Sequence, residues 1–161
     1  EIPGPTEFHR VELFSTHPFQ ATGEFRNVSI LMCETDVEHL TREFQNNYGG
    51  NIPAEVFSVD TLMIDWASGS PGWNGFDLDS PFPYSGNGNL IVEFRYLGHD
   101  GKTVNARAAD LPAGDRCLSG PNPGSSSGNL MGFLTCMRLH YDGAALDPLT
   151  VGVLKALFLP Q

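Results

Sequence analysis

Turn-forming residues punctuate this chain from end to end, and their spacing limits what it can build. Eighteen glycines and twelve prolines lie scattered between short apolar runs instead of pooling in one tail. Proline removes a backbone donor and glycine relaxes φ, so each interrupts a helix before it gains length. Short strands joined by turns are the architecture that remains. The clearest strand is Leu90–Leu97, entered from the turn Ser85-Gly86-Asn87-Gly88-Asn89. There Leu90, Val92, Phe94 and Tyr96 alternate with Ile91, Glu93 and Arg95, so one face is apolar and the other largely polar.

Further strands are expected at Phe8–Phe14, Arg26–Glu34, Ala54–Ser58, Asp60–Trp66, Trp73–Leu78, Thr103–Ala109, Leu130–Tyr141 and Leu149–Leu159. Residues 1–7 read as an extended segment, because Pro3 and Pro5 lack donors and restrict the residue before each. The prolines of Ser80-Pro81-Phe82-Pro83-Tyr84 predict an irregular connection. One helix is expected over 36–46: Thr35 and Glu38 have the spacing of a capping box, and Val37, Leu40 and Phe44 recur at helical intervals. About nine or ten short strands with one small helix predict an all-β fold. The architecture expected is a two-sheet antiparallel sandwich of jelly-roll type, occupying 8–161 as a single domain.

Charge excludes some partners. Lys and Arg total 9 against 19 for Asp and Glu, a formal net charge of -10. A nucleic-acid binder needs a concentrated positive surface to displace counterions, and an anionic bilayer repels this chain for the same reason. The apolar run 151–159 contains Lys155 and is far short of the roughly 20 residues that span a bilayer, so no membrane insertion is expected. The chain opens on Glu1 and not Met, which fits the expectation that a leader has been removed.

Cys117 and Cys136 flank a Pro/Gly/Ser-rich loop, and a disulfide between them would close it with a gain of about 3 kcal/mol in the chain-entropy model. The alternative is that these two and Cys33, which sits in an apolar run, all remain thiols. A bridge would favour an oxidising, extracytoplasmic setting.

No local constellation carries catalysis. Gly124-Ser125-Ser126-Ser127-Gly128 matches the nucleophile-elbow pattern, but it follows Pro121-Asn122-Pro123 in a low-complexity loop instead of joining a strand to a helix. Cys136 and His140 would lie ~13 Å apart on a strand, too far to share a metal. Asp77 and Asp79 share one face of a strand and are the weak candidates for a calcium site; otherwise no cofactor is expected. Trp66, Trp73, Tyr84 and Tyr48 are candidates for a sugar-stacking platform, against the simpler reading that they pack in the core. Asn27-Val28-Ser29 fits the N-glycosylation pattern.

One block carries a resemblance: Gly72-Trp73, then Phe76-Asp77-Leu78-Asp79-Ser80-Pro81-Phe82-Pro83-Tyr84, then Gly88-Asn89-Leu90-Ile91-Val92-Glu93-Phe94. It resembles the "GW…LDxPFxY…NLxVE" signature of jelly-roll β-sandwich domains in secreted and cell-surface bacterial proteins, which often carry C-terminal sorting signals. The resemblance implies an extracellular location at the bacterial cell surface and structural or adhesive duty, often with sugar association. It implies no catalytic residues.

Two functions follow as expectations. The first is a non-catalytic subunit that self-assembles into a fibre or surface layer by adding a terminal strand to a neighbouring copy. Its assembly residues would be Ile2 and Pro3 at one terminus and Val151, Val153 and Leu157 at the other, where the run is apolar on both faces apart from Lys155 and Thr150. The second is a carbohydrate-binding or adhesion module using the aromatic platform.

Overall fold

The computed structural model describes residues 5–15, 22–65, 72–102, 108–110, 116–122, 124–141, 144–146 and 155–156. Five long or central strands come first: β1 (Thr6–Ser15), β2 (Thr22–Thr35), β3 (Ala54–Asp65), β4 (Gly72–Tyr84) and β5 (Asn89–Arg95). Shorter ones follow: β6 (Gly98–His99), β7 (Ala108–Asp110), β8 (Cys117–Ser119), β9 (Asn129–Met131), β10 (Phe133–Thr135), β11 (Met137–Tyr141), β12 (Ala144–Leu146) and β13 (Lys155–Ala156). One sheet has the order β12-β11-β1-β4 and the other β13-β5-β2-β3, with β6 extending β2; β7 with β10 and β8 with β9 form two small pairs. The two larger sheets make the all-β sandwich that the turn spacing predicts.

The core between the sheets follows from strand alternation. Leu90, Val92 and Phe94 of β5 join Ile30 and Met32 of β2, and meet Phe8, Val11 and Leu13 of β1 with Met137 and Leu139 of β11. Each such side chain contributes about 1.5–3 kcal/mol on burial. The outer face of β5 is buried as well: Ile91 packs with Cys33, Leu40, Phe44, Tyr48 and Leu118 in a second cluster. The face that reads as largely polar in the sequence is thus roofed by the segment after β2.

That segment is where the expected helix over 36–46 fails. Its only helical piece is a 3-10 turn at Gln45–Tyr48. The donors and acceptors a helix would use are committed elsewhere. Asn47 Oδ1 accepts from the Thr41 amide at 2.7 Å, Asn89 Nδ2 donates to the Val37 carbonyl at 3.0 Å, and the Phe44 amide donates to the Ser126 carbonyl at 2.9 Å. Thr35 Oγ1 accepts from the Val37 amide, one residue short of the capping-box geometry. Leu40, Phe44 and Tyr48 still bury their side chains, so the periodicity marks a covering loop.

Three other expectations change. The stretch 80–84 is strand, not an irregular connection: Tyr84 pairs with Thr6 and Pro83 with Glu7. β4 is an edge strand, where a missing donor can face away from the ladder. Residues 54–65 form one strand, and 130–141 divides into β9, β10 and β11. The disulfide between Cys117 and Cys136 is not formed, and all three cysteines carry thiols. Cys117 stands opposite Met131 in the β8–β9 pair, while the Cys136 carbonyl accepts from the Phe14 amide of β1 at 3.3 Å.

Candidate functional site

Two regions combine chemistry with accessibility. The first is the side of β5 away from β2. On one side β5 pairs antiparallel with β2 along its whole length, Asn89 to Arg95. On the other, β13 pairs with it in parallel, and among the described residues Lys155 lies opposite Glu93 and Ala156 opposite Phe94. Every other pairing among the described strands is antiparallel. A parallel ladder is slightly less stable per residue than an antiparallel one.

Beneath this edge Glu93 is 2% exposed, a position that an ionised carboxylate holds only with partners. The Tyr48 hydroxyl donates to Glu93 Oε2, and Arg95 Nε donates to Oε1 at 3.1 Å. Arg95 Nη2 also reaches the Tyr48 oxygen at 3.3 Å. Burial, then the Glu93 carboxylate, push the Tyr48 phenol well above its ordinary value. Burial alone would lower Arg95, but Glu93 outweighs it and the guanidinium stays above its usual range. The three groups form a satisfied network directly beside the position where β13 docks.

The second region is a groove of about 590 Å³ at the end of β2. Glu34 and Asp36 supply one wall, Asn51 and Ile52 another, and Asn87 a third. Hydrogen bonds tie these walls together. Asn51 Nδ2 donates to the Glu34 carbonyl at 3.0 Å, and the Ser85 amide donates to Glu34 Oε2 at 2.9 Å. The Ser85 hydroxyl donates to Glu34 Oε1, and the Tyr84 hydroxyl to the Gly88 carbonyl. Burial disfavours the Glu34 carboxylate, but the bonds from Ser85, Asn87 and Gly88 more than compensate and hold it below the usual range. Two glycines let the walls approach. A Cβ on Gly49 would meet Asp36 Oδ1 at 2.6 Å, and one on Gly88 the Thr35 carbonyl at 2.8 Å.

The residues singled out from the sequence fall partly outside the described ones. Trp66, Ile2, Pro3, Val151, Val153 and Leu157 lie outside the described residues. Tyr48 and Tyr84 are core residues, 2% and 6% exposed, so neither offers a ring to a sugar. Trp73 is half-buried; Phe14 packs edge-on to it at 5.2 Å and the Arg138 guanidinium sits 4.2 Å above its ring. The aromatic platform is therefore not assembled from Tyr48, Trp73 and Tyr84. Asp77 and Asp79 are engaged by different partners. Asp77 bonds Arg10 at 2.7 Å, while Asp79 accepts from the Ser58 amide of β3 at 2.8 Å. Among the described residues no group of three or more His, Cys, Asp or Glu side chains is arranged to hold a metal.

Sequence reasoning missed a charged network on the outer face of the β1-containing sheet. Glu12 is bonded by Arg10 Nε at 3.0 Å and lies 2.8 Å from His140 Nε2, with Arg138 at 3.8 Å. Burial works against the Glu12 charge, but His140 and Arg10 prevail and lower its pKa. The only prior signal is the i, i+2 spacing of Arg10 and Glu12; His140 and Arg138 arrive through the β1–β11 register. Comparison of the chain with protein-family models, with curated proteins and with solved structures returned no match.

Proposed function

We propose that this protein is a non-catalytic, extracellular structural subunit that assembles into fibres by exchanging its C-terminal strand at the β5 edge. The observation that carries the reading is the parallel pairing of β13 with β5, with Lys155 opposite Glu93 and Ala156 opposite Phe94. A strand paired at a sheet edge makes the same contacts whether it comes from its own chain or from a neighbour. Exchange therefore costs little in pairing energy. A head-to-tail contact whose rotation does not close propagates into a filament. The apolar character of the run around Lys155 and the resemblance of the 72–94 block to bacterial surface domains support the same direction.

Electron microscopy and light scattering of the native chain test the proposal. Regular fibres are expected, and a variant lacking 149–161 is expected to remain unassembled. A synthetic peptide of 149–161 added in excess should shorten the fibres of the full chain by capping β5 edges. A monodisperse 17.5 kDa species at every concentration would overturn the reading, as would fibres that the peptide and the deletion leave unchanged.

A further inference from the structure

We propose that the groove at the end of β2 is a binding site for a neutral saccharide, independent of strand exchange at the β5 edge. Three separate chain segments converge there: 33–36, 49–52 and 82–88. Its volume of about 590 Å³ falls within the roughly 300–1,000 Å³ typical of small-ligand sites. The walls are cross-tied through one residue: the Glu34 carbonyl holds Asn51, and its carboxylate holds Ser85. A ligand entering such a groove does not have to order the walls, which saves affinity that flexible loops would lose.

The lining selects the chemistry. Among the described residues no Lys, Arg or His lines it, and the chain carries a net charge of -10, so phosphates and other anions are disfavoured. The exposed side chains of Asp36, Asn51 and Asn87 offer carboxylate and amide groups, which between them accept from and donate to hydroxyls. Beside them Ile52 is 92% exposed, an isolated aliphatic surface at the rim. Vicinal hydroxyls opposite a carboxylate, with an aliphatic contact for the C–H face of a ring, are what a pyranose presents. Asn51 and Asn87 each keep one amide hydrogen beyond the bonds they donate to the Glu34 carbonyl and to Ser85 Oγ, and an organic cation would make no use of it.

The test uses the full chain, fluorescently labelled, on an array of neutral oligosaccharides, followed by calorimetry with the best-bound member. Binding is expected and should persist when the salt concentration is raised. Asp36→Ala and Asn87→Ala should each weaken it by about tenfold or more, and Ile52→Ser by a smaller factor. Trp73→Ala, remote from the groove lining, should leave it unchanged. Asp36 and Ile52 are exposed, so unchanged melting temperatures in those two variants will show that the fold is intact. An empty array would overturn the proposal. So would binding that survives both Asp36→Ala and Asn87→Ala, binding lost in Trp73→Ala alone, or retention only of cationic amines that salt releases. Fibre formation, scored without sugar, is read separately.

Discussion

At the scale of single residues, Glu93 is the most exacting position in the molecule. Its carboxyl group is 2% exposed and accepts hydrogen bonds from Arg95 and the Tyr48 hydroxyl. Removing one partner leaves part of that desolvation uncompensated, which typically costs about 1–3 kcal/mol. Tyr48→Phe should therefore lower the unfolding free energy by an amount in that range, measured by chemical denaturation. Adding Glu93→Gln to the same chain should cost less than in the wild-type background, because the hydroxyl bond is already gone. Equal costs in both backgrounds would mean that the network is not coupled.

At the scale of elements, the close approach of β1 and β4 depends on a glycine. Gly75 stands opposite Glu12, and a Cβ built there would lie 2.0 Å from the Val11 carbonyl and 2.6 Å from Glu12 Cα. Those are backbone atoms of a central strand and cannot step aside as a flexible side chain would. Gly75→Ala should destabilise the chain by about 3 kcal/mol, seen as a lower denaturant midpoint. Strand β2 was legible from its apolar run and β5 from its alternation, with Asn89 marking the entry to β5, although both faces of β5 are buried. The covering segment was not, since Val37, Leu40 and Phe44 repeat at helical spacing while Asn47, Asn89 and Ser126 take the backbone groups a helix needs. Neither was the groove, whose walls come from three segments that no local pattern connects. The Arg10–Glu12–His140 network was equally hidden, because it exists only through the β1–β11 register.

At the scale of the whole molecule, acidity acts in two ways. Near the isoelectric point of about 4.7 the net charge that keeps copies apart is neutralised, which favours association. Stability moves the other way. Glu12 and Glu34 both have folded pKa values below the ordinary 4.5, so the stability they contribute is present above that value. It is lost as pH falls through their lowered folded values. The melting temperature should accordingly decline as pH drops below about 4.5, and less steeply in Glu12→Gln and Glu34→Gln. A decline of the same steepness in both variants would assign acid sensitivity to other carboxylates.

The position of β1 between β11 and β4 also bears on time. Leu13 meets Met137 and Phe8 meets Tyr141, so the first strand finds one neighbour only after most of the chain has been laid down. Pairings so distant in sequence are slow to close, because the loop entropy is lost before any contact compensates it. During that interval β1 has one unpaired side, and chains crowded together can pair through it before folding is complete. The concentration at which molecules meet during folding thus becomes a determinant of how many reach the finished sandwich.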